Sequence, residues 1–72
     1  MDSVTLPQLE AAINYWRQRS PSVGDESRLC AEAAALATPY ALMIIEGRRE
    51  MALAEFEDAA RAALQAWAAT RP

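Results

Sequence analysis

Thirteen consecutive residues without a charged side chain, Ala33 to Ile45, lie in the middle of a chain of 72 residues. As a helix this run would be about 20 Å long, at about 1.5 Å per residue, with apolar groups around its whole circumference. A helix of this kind lies at the centre of a fold or against a partner. Its most apolar part, Tyr40 to Ile45, is far shorter than the roughly 20 residues that cross a bilayer, so no membrane span is expected.

The first predicted helix covers about residues 6–19 and begins at a recognisable start signal. Thr5 and Gln8 have the spacing of a capping box, in which each side chain bonds the backbone N–H of the other residue. Val4 and Leu9 have the spacing of a hydrophobic staple across the same helix start. The apolar residues then recur at intervals of three, four and three positions, a narrow stripe suited to packing against another helix: Leu6, Leu9, Ile13 and Trp16.

The second predicted helix covers about residues 25–47 and follows a turn at residues 20–24, where proline, glycine and two serines cluster. Pro39 removes a backbone donor inside this helix, so the helix is either kinked there or divided in two. Gly47 predicts the end of the helix, because glycine readily takes the left-handed conformation of a helix stop.

The third predicted helix covers about residues 52–69, with Leu53, Phe56 and Trp67 on its apolar face. No strand is expected, because β-branched residues are few and nowhere alternate with polar residues over a useful length. We expect Trp16, Phe56 and Trp67 to provide the largest burial.

These elements predict one helical domain over residues 1–72. The predicted fold is all-α, a small bundle of three helices, or of four if the central helix is broken at Pro39. The central apolar helix is expected to pack between the terminal helices.

The reactive side chains of the chain argue against catalysis and metal binding. The chain has no histidine and a single cysteine, Cys30, which excludes histidine-based catalysis, zinc-finger ligand sets and intrachain disulfides. We therefore expect no enzyme activity, no cofactor and no metal. Cys30 is either a small buried hydrophobe or a reactive or intermolecularly paired thiol. Asp2 stands where a signal peptide has its basic region, which predicts a cytoplasmic protein.

Part of the uncharged run is a candidate interaction surface. At this length a solitary core is marginal, and three short helices rarely cover every side of an apolar central one. The candidate interface residues are Tyr40, Leu42, Met43 and Ile45. They form either ordinary core or a surface that binds a second copy or another bacterial protein. We accordingly predict a non-enzymatic interaction module or adaptor that forms homodimers.

Two pairs of arginines are a second candidate site. Arg17 and Arg19 lie in the last turn of the first helix, whereas Arg48 and Arg49 follow the predicted end of the second. If the turns bring the pairs together, they form a patch able to bind an anion, a nucleic acid or an acidic protein. Otherwise they complement the ends of their helices. The alternative function is a nucleic-acid-binding accessory protein or transcriptional regulator, against which the net charge of −3 weighs.

Four segments resemble a family of short bacterial proteins that is classed as a domain of unknown function. They are Ala-Ile-Asn-Tyr-Trp-Arg at 12–17, Leu-Cys-Ala-Glu-Ala at 29–33, Tyr-Ala-Leu-Met-Ile at 40–44 and Ala-Ala-Leu-Gln-Ala-Trp at 62–67. The resemblance covers nearly the whole chain. It implies a free-standing small bacterial protein and brings no activity, cofactor or catalytic residue with it.

Overall fold

The computed structural model describes residues 2–19 and 31–70, which form three helices and a two-stranded sheet. In chain order the elements are β1 (Ser3–Thr5), α1 (Leu6–Arg19), α2 (Ala31–Glu46), β2 (Glu50–Ala52), a 3₁₀ turn (Leu53–Glu55) and α3 (Asp58–Ala69). The three helices pack against one another, which confirms the predicted small helical bundle. The predicted turn at residues 20–24, the predicted helix start near residue 25 and Cys30 lie outside the described residues.

Helix α1 begins and ends where the sequence predicts. The capping box is present: the Thr5 backbone N–H donates to Gln8 Oε1 at 2.9 Å, and the Gln8 N–H donates to Thr5 Oγ1 at 3.2 Å. Val4 and Leu9, the predicted staple, are both fully buried in the core. The start of α1 is therefore held by side chains within a few positions of it, which is why a local pattern could locate it.

Helix α2 continues through Pro39 and ends at Glu46, immediately before Gly47. Gly47 has a φ of +71°, and the Arg48 N–H donates to the Met43 carbonyl at 2.8 Å. The Gly47 N–H donates to the Ile44 carbonyl at 3.2 Å, which completes a Schellman stop. Of the two alternatives for Pro39, a break into separate helices is not observed, so the described part of the chain contains three helices rather than four.

The expectation of no strands was wrong. Strand β1 pairs with β2 in antiparallel register, with Val4 opposite Met51. Backbone bonds flank the ladder on both sides, from Leu6 N–H to the Arg49 carbonyl and from Leu53 N–H to the Asp2 carbonyl, each 2.9 Å. Strands of three residues are too short for alternation to be visible in a sequence, and their pairing depends on segments about fifty positions apart.

Helix α3 begins at Asp58, not near residue 52 as predicted. The preceding residues pair as β2, form the 3₁₀ turn and become extended at Phe56 and Glu57, so the chain changes direction before the helix starts. The helix-favouring composition of this segment is overridden by its backbone bonds to the first strand.

The sheet fastens α1 and α2 as an antiparallel pair, because the first residue of α1 is bonded to the segment that follows α2. Helix α3 packs across both. Phe56 and Trp67 are buried as predicted, but Trp16 is only half-buried and packs at the edge of the core. Its indole Nε1–H donates to the Ala63 carbonyl at 3.2 Å and so ties α1 to α3. The fully buried large side chains are Val4, Leu9, Leu36, Met43 and Leu64.

Candidate functional site

The large hydrophobic side chains that are exposed in the described residues are concentrated at the end of α2. Leu42 is 50% exposed, Ile44 53% and Ile45 79%. Helical spacing places Leu42 and Ile45 on one stripe with three exposed small residues of the same helix, and we call this stripe the α2 outer face: Ala34, Thr38, Ala41, Leu42 and Ile45. The stripe has no charged residue, so nothing on it opposes burial against another protein.

The candidate interface residues named from the sequence divide between this face and the interior. Leu42 and Ile45 lie on the α2 outer face, but Met43 is fully buried and belongs to the core. Tyr40 is half-buried, and its hydroxyl donates to Glu10 Oε2 on α1 at 3.0 Å. This hydrogen bond to a carboxylate raises the pKa of Tyr40. Sequence reasoning missed Ile44, although it lies beside Ile45 in the same uncharged run.

The structure does not bring the four arginines together, so the predicted four-arginine patch is not formed. Arg17 and Arg19 lie at the carboxyl end of α1, whereas Arg49 is bonded to the first residue of that helix. Helix α1 has 14 residues and is about 20 Å long. Most of that length lies between the two pairs of arginines. The Arg19 guanidinium lies over the Tyr15 ring, 5.5 Å from its centroid.

A groove of about 330 Å³ lies between α2 and the segment that leads into α3, and we call it the α2–α3 groove. Apolar residues from both sides line it, including Pro39, Leu42, Met43, Met51, Phe56 and Ala60. Its charged lining residues are Glu46, Arg48, Glu55 and Glu57. The sequence did not predict this groove, because residues 52–56 were assigned to a helix that would have placed their side chains differently.

A salt bridge holds one wall of the groove. Arg48 Nη1 and Nη2 donate to the two carboxylate oxygens of Glu55 at 3.2 and 3.0 Å, and the Ala52 N–H donates to Glu55 Oε2 at 3.0 Å. These bonds lower the pKa of Glu55, with the Arg48 guanidinium as the main cause, and the same pair raises the pKa of Arg48. Glu55 thereby links the end of α2 to the 3₁₀ turn, which sets the position of Met51 and Phe56 relative to α2.

No group of three or more histidine, cysteine, aspartate or glutamate side chains is placed to hold a metal ion within residues 2–19 and 31–70. None of the helices described for this chain combines the length and apolarity needed to cross a membrane. The α2 outer face and the α2–α3 groove are surface features of the described residues from which a function can be argued.

Comparison with curated proteins and with solved structures finds no match. A family described as "Protein of unknown function (DUF3717)" matches residues 2–69, which is nearly the whole chain. The chain therefore belongs to the DUF3717 family, in agreement with its resemblance to a family classed as a domain of unknown function.

Proposed function

We propose that the chain is a non-enzymatic protein–protein interaction module that self-associates through the α2 outer face. The exposure of Ile45, at 79%, is the observation that supports this most directly, since Leu42 and Ile44 are also half-exposed within one turn of it. Burying a large aliphatic side chain is worth about 1.5–3 kcal/mol. An exposed cluster of this kind favours association over a freely solvated surface.

The distribution of side-chain size along the face favours an antiparallel pairing of two copies. The amino-terminal half of the face carries small residues, Ala34 and Thr38, and the carboxyl-terminal half carries the large ones, Leu42 and Ile45. When two such helices run in opposite directions, the large side chains of each copy lie over the small residues of the other. A parallel pairing would place large against large and small against small, which leaves gaps. Parallel and antiparallel pairs are both compatible with the twofold symmetry of most homodimers, so the distribution of side-chain size is what favours the antiparallel pair.

The absence of charge along this face supports the same pairing. The acidic residues of α2, Glu32 and Glu46, flank the uncharged run, so the central part of a contact between two copies contains no like charges. By contrast, no observation favours the alternative function in nucleic-acid binding, because the two arginine pairs lie at opposite ends of α1 and the net charge is −3.

The chain lacks the histidine on which most acid–base catalysis depends, and this supports the non-enzymatic part of the proposal. The carboxylates nearest to a cation, Glu55 and Asp58, are engaged with Arg48 and Arg61. Both ion pairs have an ordinary structural role at the start of a turn or helix.

The proposal is tested by solution mass measured with light scattering over a concentration series, with reductant present so that Cys30 cannot cross-link copies. We expect a mass near twice 7.9 kDa for the wild type. Ile45→Glu should shift the protein to the monomer. Because a twofold dimer contains Ile45 twice, losing about 1.5–3 kcal/mol per side chain raises the dissociation constant by at least about a hundredfold.

Ala11→Glu is the matched control, since Ala11 is exposed on α1 and the substitution adds the same charge away from α2. It should leave the dimer intact, and circular dichroism should show both variants to be folded. A wild type that is monomeric at all concentrations, or an Ile45→Glu variant that dimerises as tightly as the control, contradicts the proposal.

A further inference from the structure

We infer that the α2–α3 groove docks a basic amphipathic helix of another protein. This goes beyond self-association, because the groove opens on the α3 side of α2, with Thr38 and Leu42 shared between the groove and the outer face. The two surfaces can be separated by substitution, since Ile45 does not line the groove and Ala59 lies on the groove but not on α2. Because Thr38 and Leu42 are shared, peptide binding is measured on the Ile45→Glu variant as well as on the wild type, which keeps a failure of this inference distinguishable from a failure of the dimer proposal.

The floor of the groove is suited to apolar side chains from a partner. Leu42 is half-exposed, and Pro39 and Met51 are partly buried, so these three retain accessible apolar surface inside a concave site. Methionine has an unbranched and polarisable side chain that adapts to differently shaped partners. A groove bounded by helices with an apolar floor is the kind of site in which an amphipathic helix inserts residues spaced three or four positions apart.

The charges along the groove favour a partner segment with positive charge. Glu46, Glu55 and Glu57 line it together with one cation, Arg48, so the lining has an excess of two negative charges. Glu55 is paired with Arg48, whereas Glu46 and Glu57 make no ion pair within the described residues. Glu46 acts on Arg48 electrostatically without forming an ion pair with it. Two carboxylates without an ion pair among the described residues, beside an apolar floor, favour a ligand whose apolar residues are flanked by arginine or lysine.

The proline of α2 adds a polar feature to the same site. Pro39 has no N–H, so it cannot donate the helical hydrogen bond to the carbonyl of Ala35 four residues earlier. Both Ala35 and Pro39 line the groove. A backbone carbonyl that lacks this helical donor is an acceptor for a cationic side chain, which agrees with the acidic rim.

The occupant is another protein rather than a second copy of this chain. The described arginines at the end of α1, Arg17 and Arg19, have no exposed large aliphatic residue beside them, since the exposed ones all belong to α2. The described segment that comes nearest is the end of α2, where the exposed aliphatic residues precede Arg48 and Arg49. Leu42 and Arg48 of that segment already line the groove, and Arg48 is paired with Glu55, so the segment is part of the groove wall and not a ligand for it. The groove needs both features in one ligand.

A random peptide library displayed on phage and selected against the full-length protein tests this inference. We expect the enriched peptides to carry apolar residues three or four positions apart together with arginine or lysine. Their affinity, measured with fluorescein-labelled synthetic peptides, should fall when salt is raised from about 50 to about 500 mM, because the exposed ion pairs are screened.

Variants then locate the binding site. Ala59→Arg places a long cation over the groove from an exposed position of α3 and should weaken binding by about tenfold or more, whereas Ala66→Arg, an exposed position outside the groove, should bind as the wild type does. The double substitution of Glu46 and Glu57 to glutamine should also weaken binding. Ile45→Glu should retain it, which separates a failure here from a failure of the dimer proposal.

The inference is overturned if no peptide is enriched or if the enriched peptides lack basic residues. It is equally overturned if the peptides bind Ala59→Arg, or the glutamine double variant, as tightly as they bind the wild type. Circular dichroism of each variant checks that lost binding reflects the surface and not unfolding.

Discussion

Replacing Gly47 by alanine should destabilise the protein by about 1 kcal/mol, through backbone conformation alone. Gly47 has a φ of +71°, and a Cβ added there would meet no heavy atom within 4 Å, so no steric clash contributes. An L-residue in the left-handed region costs about 1–2 kcal/mol. Alanine offsets about 0.4–1 kcal/mol of that cost, because it reduces the conformational freedom of the unfolded chain.

A series at this position separates the conformational cost from other causes. Gly47→Asn should cost less than Gly47→Ala, because asparagine tolerates the left-handed region, and Gly47→Val should cost more, because β-branched residues rarely adopt it. For a chain of this length, about 1 kcal/mol lowers Tm by about 4–8 °C. Urea and thermal unfolding followed by circular dichroism measure both quantities, at one fixed protein concentration because self-association stabilises the folded state.

The order of the three variants is the decisive result. An alanine variant as stable as the wild type, or a valine variant no worse than the asparagine one, would refute the argument that the left-handed stop is what requires glycine. The position matters for the site as well as for stability. Gly47 directs Arg48 toward Glu55, so a variant that lost the stop should also raise the pKa of Glu55 toward its ordinary value.

Two further predictions concern the side-chain bonds at the start of α1 and at the groove wall. Thr5→Ala should lower the free energy of unfolding in urea by about 1 kcal/mol, because the Gln8 N–H loses its acceptor. Thr5→Ser should lower it much less, and equal losses for the two variants would contradict the capping role. In an NMR titration of carboxyl carbons, Glu55 should have a pKa below the ordinary glutamate value, and Arg48→Met should raise it. The stability that the Arg48–Glu55 pair contributes is present above the ordinary glutamate pKa and is lost as the pH falls through the lowered pKa of Glu55. A Glu55 with an ordinary pKa in the wild type would contradict the pairing.

Sequence reasoning succeeded where the determining contacts are local. The start of α1 depends on Thr5 and Gln8, three positions apart, and the end of α2 depends on Gly47 and carbonyls within the preceding turn. The periodicity of apolar residues likewise predicted a helical bundle without knowledge of which faces meet. In each case the energy that decides the conformation comes from residues that a short window of sequence contains.

The candidate site was only partly predictable for the opposite reason. The uncharged run indicated an interaction surface, but whether Met43 or Ile44 is buried depends on where α1 and α3 pack around α2. The separation of the arginine pairs depends on the antiparallel packing of α1 and α2, and no local sequence pattern predicts that packing. The groove required residues 52–57 to leave the helical conformation that their composition favours.

The sequence by itself determined three helices, both ends of α1, the carboxyl ends of α2 and α3, and a central helix too apolar to be fully solvated, because propensity, capping and periodicity act within a few residues. Tertiary structure decided the strand pairing, the late start of α3, the division of α2 into buried and exposed faces, and the charges around the groove. These features depend on hydrogen bonds and contacts between distant segments, such as β1 and β2. The free energy of such contacts is gained only after the entropy cost of bringing distant parts of the chain together has been met.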